Sequence, residues 1–372
     1  MINPYKQYFP NLDALRFFAF FAVFTAHITH LFMDDLSGHS TLTILFNYSQ
    51  LGILGVNFFF VLSAFLITFL IYEEKAATRY FSFTKYYIRR SLRIWPLYYL
   101  MVFIGFVIVP AFKHVQGIPY AETANVWYYV FFLSNVFTMY FGQPLTPVLF
   151  VIWSIAVEEQ FYIFWPFLLT FFTKGREVIL FFLLIAGALI FRYVNHNNYI
   201  VLYLHPLSIM SDFGIGGLLA YFSFKKGKAF SLFSNMGGGI IALGYLCFLT
   251  LVYINFQIFQ IPWLYVGQRC VWGLFFAFII FEQCFCKRSP FKFGKIKLFS
   301  ELGKRSYGLY CFHEIGILIG LNILKFADPY HLHLNEYIIE PIMAFAFTVI
   351  LAYASYQFFE SPFLKLKNKF GF

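Results

Sequence analysis

Ten runs of mostly apolar residues, each close to the roughly 20 that a helix needs to cross a hydrocarbon core, recur along this chain. They fall near 11–33, 49–72, 91–112, 150–173, 177–194, 205–224, 236–256, 262–282, 305–325 and 338–359. Backbone polar groups cannot stay unpaired in lipid, so long apolar runs of this kind cross as helices. The expected fold is therefore all-α: a polytopic integral membrane protein with about ten transmembrane helices. Charge agrees. Only 12% of the 372 residues are charged and the mean hydropathy is +0.71, whereas a soluble domain is about a quarter charged. No long polar stretch interrupts the pattern, so residues 1–372 read as one membrane-embedded domain. The 56 Phe and 27 Tyr suit lipid-facing and interfacial positions.

Basic residues orient the spans. With the N-terminus in the cytoplasm, 23 of the 27 Lys and Arg fall on the cytoplasmic side, and only Lys113, Arg192, Arg269 and Lys325 lie in the outer half. This requires an eleventh apolar run, 125–141, not to cross. It reads as a re-entrant or interfacial helix, and both termini then lie in the cytoplasm. On this reading the net charge of +10 is a loop property and implies no nucleic-acid partner. The lipid bilayer is the one partner that composition itself dictates. Cys247, Cys270, Cys284, Cys286 and Cys311 show neither a disulfide framework nor a zinc spacing, and no metal is expected. The first apolar run carries Arg16 and His27 and lacks a small-residue cleavage site, so it does not read as a cleaved signal.

Ionisable groups inside a span are costly and mark candidate sites. Arg16 and His27 are eleven residues apart in the first run. Eleven residues bring a helix almost back to the same face, about 16 Å further along its axis. Arg16 could instead snorkel to headgroups beside Asp13, and His27 could be an interhelical hydrogen-bonding group. In the third run, within YYIRRSLRIWPLYYL, Arg90 and Arg93 share a face while Arg89 points elsewhere. Paired guanidinium groups suit phosphate. The fourth run contains WSIAVEEQFYIFWP, from Trp153 to Pro166. Glu158 and Glu159 sit there at a depth close to that of His27, where a carboxylate can hold an imidazole's tautomer. Tyr307, His313 and Glu360 add weaker signals, from YGLYCFH and from the ESP of residues 360–362.

Taken in order, these segments resemble the acyltransferase-3 family of membrane-embedded acyltransferases. The resemblance rests on Arg16…His27 within NLDALRFFAFFAVFTAHITH, GVNFFFVLSAFLIT at 55–68, RRSLRIWPLYY, WSIAVEEQFYIFWP, SYGLYCFH and ESPF. Ala64 stands where the family usually has Gly, and Asn57 where Asp is common. The extracytoplasmic esterase-like domain of some members has no counterpart in this sequence. The resemblance implies an O-acyltransferase with His27 and Arg16 as its core pair. Its co-substrate would be acyl-CoA, acetyl-CoA in the first place, with no permanently bound cofactor. The acceptor would be a hydroxyl of a cell-surface or lipid-linked carbohydrate, and the location the bacterial cytoplasmic membrane.

Extended pantetheine spans on the order of 15–18 Å, close to the rise from Arg16 to His27. CoA phosphates are thus expected on Arg16, Arg90 and Arg93, with the thioester near His27. His27 would act as general base or as a covalent acyl carrier, oriented by Glu158 or Glu159. Trp153, Tyr307, His313 and Glu360 would line the surroundings. Two other classes compete: a proton-coupled secondary transporter using the intramembrane His, Glu and Arg, and a membrane glycosyltransferase using Asp34 and Asp35.

Overall fold

The computed structural model describes residues 8–30, 51–172, 175–258, 261–327 and 338–370. No strand occurs among them. The helices used below are α1 (Pro10–His30), α2 (Leu51–Thr78), α3 (Phe83–Phe103), α4 (Val126–Val130), α5 (Ser134–Phe141), α6 (Trp153–Phe171), α7 (Glu177–Val194), α8 (Pro206–Lys225), α9 (Gly238–Ile258), α10 (Pro262–Phe285), α11 (Lys297–Lys304), α12 (Ser306–Ala327), α13 (Glu340–Ala354) and α14 (Ser361–Asn368). Among the described residues nine helical segments are long and apolar enough to cross a membrane. A tenth helix, α12, is 22 residues long and carries His313 and Glu314 in its middle. All ten apolar runs are thus helical over their described residues.

The ends differ from those read by apolarity. α3 begins at Phe83, capped by Ser82, whose hydroxyl accepts from Lys85 N. Apolarity alone misses these polar first turns, which place Arg89, Arg90 and Arg93 inside the helix. α3 continues through Pro96 and a π-helical turn at Ile104–Ile108 as far as Val115. The eleventh run splits into α4 and α5, of 5 and 8 residues. At 1.5 Å per residue neither approaches the roughly 30 Å of a crossing.

Contacts divide the chain into two compact units, one from residues 1–19, 53–81 and 161–304, the other from 20–52, 82–160 and 305–372. In the first unit α8 packs closely on α2. A Cβ at Gly216 would lie 2.3 Å from Val61 O and 2.8 Å from the Ala64 Cβ. The close approach to α2 is thus supplied from α8, which is how α2 tolerates Ala64. Arg192 of α7 donates to Val266 O, Tyr265 O, Leu202 O and Ser208 Oγ, while Arg269 of α10 pairs with Asp212 of α8 at 2.5 Å. These bonds pair two buried cations and tie α7, α8 and α10. On α9, Leu243, Leu246, Leu249 and Tyr253 are exposed, which suits lipid.

In the second unit α12 packs on α13 through Gly316, where a Cβ would sit 2.1 Å from Thr348 Oγ1 and 2.8 Å from Ala344 O. Tyr307 of α12 donates to Ile94 O of α3 at 2.8 Å. The break after α4 is held by side chains. Tyr98 donates to Tyr129 O, Tyr99 to Val130 O, and Gln160 of α6 to Phe132 O and Asn135 Oδ1. Phe132 adopts φ +56° there, and its buried ring packs against Trp95 and Tyr98.

Candidate active site

His27 lies near the C-terminal end of α1, in the second unit. Its Nδ1 meets the Glu314 carboxylate of α12 in a direct contact, with the His27 side chain 29% exposed and that of Glu314 9%. A carboxylate on one ring nitrogen favours the hydrogen there and leaves Nε2 as the basic nitrogen. Glu314 is the carboxylate that meets His27, a contact that the sequence alone does not reveal. Its signal in the sequence is that of an acidic residue inside an apolar run, adjacent to His313, and it is less conspicuous than the two adjacent carboxylates at 158–159.

His313 is fully buried. Its ring stands edge-on to that of His27, with centroids 4.8 Å apart. Its Nδ1 lies 2.5 Å from Tyr310 O, one turn back, and a carbonyl can only accept. Nδ1 therefore carries the hydrogen, and Nε2 faces Glu314 Oε1 at 3.5 Å. Tyr310 OH donates to Val151 O at 3.0 Å, so the Ser154 hydroxyl, 2.7 Å away, donates to Tyr310. The buried Trp153 sits beside Ser154 at the start of α6. The structure thus assembles His27, His313, Glu314, Tyr310 and Ser154 from α1, α12 and α6.

The other sequence candidates fall elsewhere. Glu159 is buried and accepts from Trp95 Nε1 at 2.8 Å. Glu158 is half-buried one turn beyond Ser154. Arg90 acts electrostatically on Glu159, and Arg93 and Arg305 act on Glu360. Glu360 closes a π-helical turn at Ser355–Glu360 and accepts from Ser355 at 3.1 Å. Gly308 of α12 faces it, since a Cβ there would be 3.3 Å from Glu360 Oε1. Arg305 stacks over Tyr353 and Tyr356 at 4.1 and 4.9 Å. Arg89, turned elsewhere, donates to Phe370 O at 3.0 Å. In the first unit Arg16 forms an ion pair with Asp13 at 2.6 Å, and Asp13 also accepts from Tyr8. Asp34 and Asp35 lie outside the described residues.

These features define a multi-pass membrane protein, helical and without strands among the described residues, with an imidazole–carboxylate pair in its second unit. A family model described as an acyltransferase domain, acyltransferase-3, matches residues 9–357. The chain belongs to that acyltransferase-3 family. It is 29% identical over 378 residues to a putative peptidoglycan O-acetyltransferase, YrhL, of Bacillus subtilis, covering 96% of this chain and 55% of that protein. It is 28% identical over 381 residues to the O-acetyltransferase OatA of Staphylococcus aureus, covering 96% and 58%. It is 28% identical over 389 residues to the peptidoglycan O-acetyltransferase OatA of Listeria monocytogenes, covering 97% and 56%. The chain therefore spans little more than half the length of these relatives. No solved structure matches it.

Proposed function

We propose that this chain is an O-acetyltransferase of a bacterial cytoplasmic membrane, moving acetyl from cytoplasmic acetyl-CoA to a hydroxyl of cell-wall glycan, in the first place peptidoglycan. Family membership supports acyl transfer over the transporter and glycosyltransferase alternatives. The three relatives, two of them bearing peptidoglycan in their names, support the acceptor class. The observation that carries the chemistry is the contact of His27 Nδ1 with Glu314. It leaves Nε2 to take the acceptor's hydroxyl proton as the oxygen attacks the thioester carbonyl. Glu314 stabilises the resulting imidazolium, and Nε2 returns the proton to the CoA thiolate as the C–S bond breaks. Covalent acylation of Nε2 is the variant of this scheme in which the same nitrogen attacks first.

Arg90 and Arg93 are assigned to the donor phosphates. Arg16 joins them on the strength of α1 alone, since it lies eleven residues before His27 on the same helix, a rise of about 16 Å. Donor binding then exchanges part of the Arg16–Asp13 pairing for phosphate. The test is acetyl transfer from labelled acetyl-CoA in membranes, with mass spectrometry of muramidase-digested wall. Wild-type protein should add acetyl to muropeptides and His27→Ala should not, with donor binding kept. Normal acetylation by His27→Ala would overturn the assignment.

A further inference from the structure

Three atoms that can ligate a metal converge in the second unit. His27 Nδ1, Glu314 Oε1 and His313 Nε2 all lie within 4.8 Å of one another. Glu314 Oε1 touches His27 Nδ1 and is 3.5 Å from His313 Nε2. The Nδ1–H···O bond of His313 to Tyr310 O fixes its tautomer, so Nε2 points a lone pair at a carboxylate oxygen. Nε2 is buried and has no hydrogen-bond partner. A metal-binding histidine is commonly fixed in this way, its second nitrogen held by a backbone carbonyl.

We propose that His27, His313 and Glu314 form a binding site for one divalent transition-metal ion of the zinc class, and that an ion bound there blocks acyl transfer. Two imidazoles and a carboxylate suit zinc or cobalt and disfavour magnesium and calcium, which prefer all-oxygen sites. With bonds of about 2.0–2.1 Å, the edges of a tetrahedral site are roughly 3.3 Å. The 3.5 Å between His313 Nε2 and Glu314 Oε1 already matches such an edge. His27 completes the set by a small ring movement that parts it from Glu314. Its proton shifts from Nδ1 to Nε2 as Nδ1 takes the metal, so His27 itself releases no proton. The blockade follows from that shift, because Nε2 then carries a hydrogen and has lost the lone pair needed for base or nucleophile. This second half rests on the function proposed above; metal binding does not.

The full chain, purified in detergent with a histidine-free tag, is titrated with Co²⁺ and read by visible absorption. The expected result is saturation at one cobalt per chain with the intense bands of a four-coordinate site. These bands should be displaced by Zn²⁺ but not by Mg²⁺ or Ca²⁺. Glu314→Gln and His313→Gln, each first shown to elute as monodisperse protein, should both lose them. Absence of a saturable spectrum, or its retention in both variants, would overturn the site. In parallel, acetyl transfer is measured in zinc-buffered medium, where saturating zinc should abolish it and a chelator restore it. Cobalt binding without zinc inhibition would overturn the blockade. A wild-type protein inactive in every medium would count against the acetyl-transfer reading and leave the cobalt result standing.

Discussion

At the scale of single residues, the useful comparison is between two buried carboxylates that the sequence makes look alike. Glu159 and Glu314 are both inside apolar helices and both buried, but their partners differ. The Glu159 bond to Trp95 Nε1 asks only for an acceptor oxygen, which an amide also offers. In the proposed transfer the contact of Glu314 with His27 asks for charge, because there it holds an imidazole that becomes cationic. Glu159→Gln should therefore keep its bond and change stability by less than about 1 kcal/mol, with acetyl transfer little altered. Glu314→Gln should lower kcat by on the order of 10²–10⁴ with the acceptor KM nearly unchanged. Steady-state kinetics on the two purified variants checks this, and equal losses in both would refute the distinction. Arg16→Ala should raise the donor KM and leave kcat within a few-fold, measured by varying acetyl-CoA; an unchanged KM would remove Arg16 from the donor site.

At the scale of helices, glycine decides which pairs come close. A Cβ at Gly316 would press on Thr348 and on the backbone of Ala344, whereas one at Gly239 of α9 would meet nothing within 4 Å. Gly316→Ala should cost about 1–3 kcal/mol through overpacking, visible as a lower Tm in detergent. Gly239→Ala should leave Tm unchanged or slightly raise it, since alanine is the better helix former. Similar Tm values for the two variants would contradict this packing account. The helices themselves were legible because twenty apolar residues in a row have almost one way to satisfy their backbone in lipid. Their polar ends were not, and α3 shows why: Ser82 and the arginines after it start a helix through capping rather than apolarity. The non-crossing character of 125–141 was legible from the charges around it. Its break into α4 and α5 was not, because it depends on Tyr98, Tyr99 and Gln160 arriving from other helices. The place of His27 and its neighbour His313 in the candidate site could be named from the sequence. Glu314 could be tied to them only once α12 was set against α1, since helical register within one run says nothing about which run lies next to it.

At the scale of the whole molecule, the chemistry proposed here depends on which side of the bilayer each end of α1 faces. A cytoplasmic thioester can reach His27 from the Arg16 end only if the N-terminal end of α1 is inside. The same orientation governs the acceptor, because a wall glycan must approach from outside. The loop at Gly117–Ile118 is a sensitive marker of it. It follows the helical stretch ending at Val115 and turns at Gly117 with φ +70°, in exposed surroundings where a Cβ on the glycine would meet nothing within 4 Å. A short epitope there should be tolerated, because the turn carries no packing. In right-side-out cells that epitope should bind an impermeant antibody, while the same epitope fused after Phe372 should bind only after permeabilisation. The Lys365, Lys367 and Lys369 cluster along and just beyond α14 predicts this result through its cytoplasmic preference. Labelling of the C-terminal epitope in intact cells, with the Gly117–Ile118 epitope labelled only after permeabilisation, would invert every span and put Arg16 outside. Cytoplasmic CoA would then have no route from Arg16 to His27, and the proposed direction of acyl flow along α1 would fail with it.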